Sequence, residues 1–209
     1  MIKMFTKDMI QTHIVQHLSS GQRGPACRVE LWEIVNAILY KLKTGTQWEL
    51  LPVNSLIFSD NLSWQAVYHH YRKWCKDNSW RKVWLLLVAS FKSLLDLSTA
   101  QLDGSHSPAK RGGEAVAYQG RKKCKTTNIL LLTDRNGIVV ACGKPVAGNH
   151  NDLYQIENQV KEMLAQLKQM DIPVEGLFLN ADSGFDAKSL RQVLDKHDIM
   201  LNAPPNRRN

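Results

Sequence analysis

Thr127-Asn128-Ile129-Leu130-Leu131-Leu132-Thr133-Asp134-Arg135-Asn136-Gly137-Ile138-Val139-Val140-Ala141-Cys142 is the stretch that decides the fold class. Two short apolar runs, 127–133 and 138–142, flank the turn signal Asp134-Arg135-Asn136-Gly137 and predict a β-hairpin. Working outward, residues 100–103 read as a short strand before it, and residues 177–182 and 199–202 as strands after it. Between them Leu153, Ile156, Val160, Met163, Leu164 and Leu167 recur at helical spacing. Asp186 is placed to cap a further helix bearing Leu190, Val193 and Leu194, and Pro204-Pro205 ends the last strand. The order beyond residue 96 is therefore β-β-β-α-β-α-β.

Upstream the period changes. Leu31, Ile34, Val35, Ile38, Leu39 and Leu42 fall on one helical face, with Glu30 and Glu33 at its start, Lys41 and Lys43 at its end and Gly45 as a stop. Ser63 is placed to cap a second helix that carries Trp64, Val67, Tyr68, Tyr71 and Trp74 on one side and His69, His70, Arg72, Lys73 and Lys76 elsewhere. Trp80, Val83, Trp84, Leu87, Val88, Phe91, Leu94 and Leu95 suggest a third. Three short helices with a basic face fit a helix-turn-helix arrangement, and equally a small bundle whose aromatics are core. The fold class is α+β: a helical domain at 1–96, then an α/β domain with a mixed sheet at 97–209.

Composition narrows the partners. Lys and Arg number 27 against 19 Asp and Glu, a formal charge of +8 that suits a polyanion such as nucleic acid. Cys27, Cys75, Cys124 and Cys142 stand far apart with no C-x-x-C pair, which argues for reduced thiols and against a zinc site. The longest apolar run, 83–89, falls far short of the roughly 20 residues that span a bilayer, and the N-terminus has no secretory apolar region.

Two aspartates sit where strands are expected to end: Asp103 in Gln101-Leu102-Asp103-Gly104-Ser105-His106, and Asp182 in Leu179-Asn180-Ala181-Asp182-Ser183-Gly184-Phe185. Each can simply cap a turn. Alternatively the two can meet across one sheet despite a separation of 182 − 103 = 79 residues, and a divalent cation with hard oxygen ligands would offset the cost of bringing them together.

The first half carries residues 34–48 with Leu51-Pro52, and Val67-Tyr68-His69-His70-Tyr71-Arg72-Lys73-Trp74. The second half carries, in order, Asp103-Gly104-Ser105-His106, Gly120-Arg121-Lys122-Lys123, Gly148-Asn149-His150-Asn151-Asp152, Ala181-Asp182-Ser183-Gly184-Phe185-Asp186 and the ending Pro204-Pro205-Asn206-Arg207-Arg208-Asn209. In this ordered set the sequence resembles the IS5-type transposases of bacterial insertion sequences. The resemblance implies an RNase H-like fold for 97–209. It makes Asp103 and Asp182 the first two acids of a DDE site holding Mg2+ or Mn2+, two ions in an intact site about 3.5–4 Å apart. His150 and Asp152 are secondary candidates for orienting DNA or metal. Lys110, Arg111, Arg121, Lys122, Lys123 and Lys125, together with His69, His70, Arg72 and Lys73, are candidate DNA contacts; the first six also read as a solvated charge run.

The family's third acid is a Glu in a Tyr-x2-Arg-x3-Glu-x6-Lys pattern. Here no Glu follows Glu175, no Tyr follows Tyr154, and the acids beyond Asp182 are Asp186, Asp195 and Asp198. A truncated or frameshift-split form is expected, with an incomplete RNase H-like domain. The implied function is strand cleavage and transfer at insertion-sequence ends in the bacterial cytoplasm, by a protein that forms homo-oligomers. The alternatives are a non-catalytic DNA-binding relic or regulator of transposition, and a general nuclease on the same fold.

Overall fold

The structure, a computed structural model, describes residues 5–20, 29–53, 62–110 and 112–206. Cys27, Arg111 and the ending Arg207-Arg208-Asn209 lie outside them. The chain divides into two compact units, 1–87 and 88–209.

The first unit is helical. Thr6 caps α1 (Lys7–His13) by accepting from the Met9 amide, a helix with too few apolar positions to be read from sequence. α2 (Leu31–Thr44) buries Ile34, Val35 and Ile38 completely, and Gly45 ends it in the left-handed region at φ 70°. Ser63 caps α3 (Trp64–Lys76) as expected, its hydroxyl accepting from the Ala66 amide at 3.2 Å. The core gathers Ile10, the buried face of α2, Val67 and the fully buried Trp74. Trp74 lies parallel to Trp80 at 6.1 Å and donates its indole N–H to the Ser19 carbonyl at 3.1 Å. α4 (Ser79–Ser90), which crosses the division point, stops short of the expected extent; a 3-10 turn at Lys92–Leu94 replaces its last turn. Phe91 and Leu94 are exposed there, so burial does not reward continuing the apolar period. Among the described residues no helix is long and apolar enough to cross a membrane.

The second unit is a curled mixed sheet with helices on one face. β1 (Ala100–Pro108) runs antiparallel to β3 (Cys124–Asp134) over nine register pairs. On its other side it runs parallel to β6 (Phe178–Ala181), which is parallel to β7 (Met200–Asn202). The remaining side of β3 is paired in succession by β2 (Ala117–Gln119), β5 (Val146–Ala147) and β4 (Val139–Cys142). The predicted strand and helix order is present, with β2 and β5 added. This order, β4-β3-β1-β6-β7 across the main sheet, is that of an RNase H-like fold.

The hairpin turn at 134–137 forms, with Gly137 at φ 81°. Asp134 is wholly buried there, and its two oxygens accept from the amides of Asn136, Ile138 and Asp96. α5 (Ile156–Gln169) and α6 (Lys188–Asp195) cover one sheet face, where Leu102, Leu132 and Leu179 meet Val160, Met163 and Leu194 around a void of about 20 Å3. Two buried glutamines of α5 bond backbone: Gln166 pairs with the N–H and C=O of Cys142, and Gln159 with those of Lys144.

Asp186 does not cap α6, which begins after Ala187 without a side-chain cap. Its carboxylate is instead held below the usual range by Arg191, whose guanidinium lies 2.8 Å away, and by the Asn206 amide. A carboxylate facing a fork of guanidinium donors gains more than one accepting a single helix amide. Arg191 also donates to the carbonyls of Leu201 and Ala203, fastening the segment after β7 to α6.

Candidate metal centre and nucleic-acid surfaces

Asp103 does not end its strand. β1 runs five residues beyond it, because pairing along β3 continues to Pro108↔Thr126. What ends near Asp103 is the parallel pairing with β6, whose last register pair is Leu102↔Ala181. The next residues are Asp103 and Asp182. Neighbouring strands run about 4.8 Å apart and side chains alternate between faces. Leu102 and Leu179 face the helices, so Asp103 and Asp182 both project from the opposite face, and both are exposed.

Where the two strands part, each carboxylate accepts a nearby backbone N–H, that of Asp182 as the cap of the 3-10 turn that follows it. Asp103 Oδ1 accepts from Gly104 and Asp182 Oδ1 from Gly184, both at 2.8 Å. Phe185, completely buried, anchors the 3-10 turn Ser183–Phe185 that follows Asp182. Like charges at the ends of adjacent strands repel, and a cation held by Asp103 and Asp182 would relieve that repulsion. The donor set, two hard carboxylates, fits two of the oxygen ligands of Mg2+ or Mn2+. Among the described residues no group of three or more His, Cys, Asp or Glu comes together, so no third acid joins them.

The other candidates lie elsewhere. Arg121, Lys122 and Lys123 form the exposed tip of the β2–β3 hairpin, with Lys123 at φ 52°, and Lys125 and Lys110 are exposed at the same end of the sheet. The long β3 carries this tip away from the carboxylates: Lys123 is 131 − 123 = 8 residues from Leu131, the partner of Asp103, about 27 Å along an extended strand.

On α3 the exposed stripe is Gln65, His69, Arg72 and Lys76, of which Gln65 and Lys76 were not among the sequence candidates. Arg72 lies over the Tyr68 ring at 5.7 Å. Lys73 turns inward, donating to the Ser19 carbonyl at 3.0 Å. His70 is half-buried with its ring 5.2 Å from Trp74. Burial, aided by the nearby charges of His69 and Lys73, pulls the His70 pKa below its ordinary value near 6.5. The unfolded chain then binds more protons between the two values, so stability is complete above about pH 6.5 and falls as pH drops through the folded pKa. Denaturation midpoints between pH 7 and 5 should show that loss in the wild type and a reduced one in His70→Gln; identical slopes would remove His70 as the cause.

His150 stacks on Tyr154 at 3.6 Å, and Asp152 accepts from the Asn128 amide at 2.8 Å. Asn128 was missed by sequence reading. Its signal was a polar residue at a core-facing parity within the apolar run 127–133.

The comparisons agree with this architecture. Residues 8–84 match the family described as a putative transposase of the IS4/5 family, and residues 102–208, just over half of the chain, match the DDE superfamily endonucleases. The solved piggyBac transposase synaptic complex with hairpin DNA superimposes with a TM-score of 0.54 at 12% identity, covering 97% of this chain and 47% of that one. A Mos1 transposase paired-end complex with the left transposon end gives 0.36 at 14% identity, with coverages of 88% and 61%. This chain thus spans about half to three fifths of the length of those chains, and the likeness to piggyBac is one of fold. No curated protein matches the sequence. The chain belongs to the DDE superfamily of endonucleases, as an IS4/IS5-like transposase.

Proposed function

We propose that the chain takes part in metal-dependent DNA strand cleavage and strand transfer, with Asp103 and Asp182 as the metal ligands and insertion-sequence ends and target DNA as partners. The parallel register whose last pair, Leu102↔Ala181, immediately precedes Asp103 and Asp182 is the observation that supports the reading. Asp103 and Asp182 would hold divalent ions there, which would supply Lewis-acid activation of an attacking oxygen and stabilisation of the leaving one. Asp103 and Asp182 hold their inner oxygens on glycine amides, which fixes the direction of the outer ones. The 97–209 region is the catalytic domain in this reading, and 1–96 the DNA-binding one.

The test is a Mn2+ titration followed by calorimetry or electron paramagnetic resonance. Asp103→Asn and Asp182→Asn should each weaken binding about tenfold or more, with unfolding moved by no more than about 0.5 kcal/mol because both sites are exposed. Binding unchanged in both variants would sink the assignment.

In the same reading the exposed stripe of α3 contacts the element's ends and the basic hairpin grips phosphates. A reach of about 27 Å from the carboxylates corresponds to roughly eight base pairs of duplex. Neutralising Lys122 and Lys123 should flatten the slope of log affinity against log salt by about 0.9 per lost phosphate contact. An unchanged slope would remove the hairpin from the interface.

A second reading, a DNA-binding regulator without catalysis, is favoured in that, among the described residues, no group of three or more His, Cys, Asp or Glu comes together to hold a metal. Nicking of element-end DNA in Mg2+ or Mn2+ separates the two, since only the first predicts it.

A further inference from the structure

The motif Gly148-Asn149-His150-Asn151-Asp152 folds against the helix-covered face of β1 and β3. A β-carbon at Gly104 would lie 2.1 Å from Asp152 Oδ1 and 2.4 Å from its Cγ, so the Asp152 carboxylate occupies the space of the side chain that Gly104 lacks. Asp152 therefore touches β1 one residue after Asp103, from the opposite face of the sheet. It is tied there by Asn128, which is 1% exposed and donates from Nδ2 at 2.8 Å. Nearby, a β-carbon at Gly148 would lie 2.0 Å from Thr126 Oγ1, and Gly148 N–H donates to the Thr126 carbonyl at 3.0 Å. Thr126 Oγ1 is in turn 3.1 Å from His106 Nδ1.

Stability alone does not account for this arrangement. Asn128 Oδ1 is buried with no hydrogen-bond partner, and a half-buried carboxylate is costly to desolvate on a face where Thr126 and Asn128 stand in line with Leu130 and Leu132. Apolar packing would hold the strand at lower cost. What apolar packing would not supply is a rigid stop under Gly104, whose amide holds the Asp103 carboxylate at 2.8 Å.

The geometry assigns Asp152 a positioning role: seated against Gly104 and anchored on Asn128, it fixes the height of β1 at Asp103 and so the alignment of the Asp103–Asp182 pair for a divalent cation. The assignment rests on the carboxylate-pair reading above. Asp152 touches neither metal nor DNA in it, and acts through Gly104.

The test uses the full chain with Mn2+ alone as probe, and hydrogen exchange at the Gly104 amide as a readout that needs no metal. Asp152→Ala and Gly104→Ala should weaken Mn2+ binding about tenfold or more, as removal of outer supports of metal ligands does. Asp152→Ala should also speed exchange at Gly104. Asp152→Asn, which keeps an oxygen for the Asn128 amide, should stay within about threefold of wild type and leave exchange unchanged. Circular dichroism melts of each variant exclude loss by misfolding. Wild-type affinity in both Asp152→Ala and Gly104→Ala, alongside a loss in Asp103→Asn, overturns the positioning role and leaves the pair standing. A loss in Asp152→Asn equal to that in Asp152→Ala also overturns it, because charge and not seating would then be the cause. Wild-type affinity in Asp103→Asn removes the pair and this role together.

Discussion

Replacing Trp74 by alanine is expected to destabilise the helical unit by about 3–5 kcal/mol, the range for emptying a fully buried tryptophan site. Its ring is completely buried, stacks on Trp80 at 6.1 Å and packs beside His70, and its indole N–H satisfies the Ser19 carbonyl. Alanine removes the ring, leaves a cavity the size of an indole and takes one of two donors from that carbonyl, leaving it to Lys73. Chemical denaturation followed by circular dichroism measures the loss, and Leu50→Ala, at a position 68% exposed, serves as the control within about 0.5 kcal/mol. A loss below about 1 kcal/mol in the Trp74 variant would show that the aromatic cluster is not the keystone of this unit.

Asp134→Ala is expected to cost the sheet unit about 3–5 kcal/mol. The carboxylate is wholly buried and serves three backbone donors, the amides of Asp96, Asn136 and Ile138, at 2.8 to 3.0 Å. Unmaking such bonds costs roughly 1–3 kcal/mol for each donor left without a partner. Asp134→Asn should fall between, since its amide group can accept through only one atom. The residue pairs with Ala100 at the start of β1, three positions before Asp103, so its loss should also loosen the carboxylate pair. Equal stability of the alanine variant and wild type would mean that water replaces the carboxylate at no cost.

How much of this was legible in the sequence follows from where local chemistry and tertiary pairing agree. The 134–137 turn, the Ser63 cap and the Gly45 stop were readable because each depends on a few adjacent residues with one physical solution. The carboxylate pair was readable as a candidate, but its register was not, since register is set by pairing across 79 residues. The continuation of β1 through Gly104-Ser105-His106-Ser107-Pro108 was missed because those residues have poor strand propensity; nine pairs with β3 override it. β2 and β5 are too short to show a period. Asp186 was misread because its partner, Arg191, competes with the helix amide, and sequence shows both options equally. The seat of Asp152 beneath Gly104 was invisible, since it is a through-space contact between a loop and a strand.

The two glutamines of α5 have a consequence for how this protein behaves in a crowd. A margin strand ordinarily presents a row of free amides and carbonyls, on which a strand from another molecule can crystallise. At Cys142 and Lys144 those groups are already engaged by Gln166 and Gln159, which act as a surrogate strand built from side chains. The margin is therefore blocked at Cys142 and Lys144 without any additional backbone, which hinders there the sheet-to-sheet adhesion that begins many aggregates.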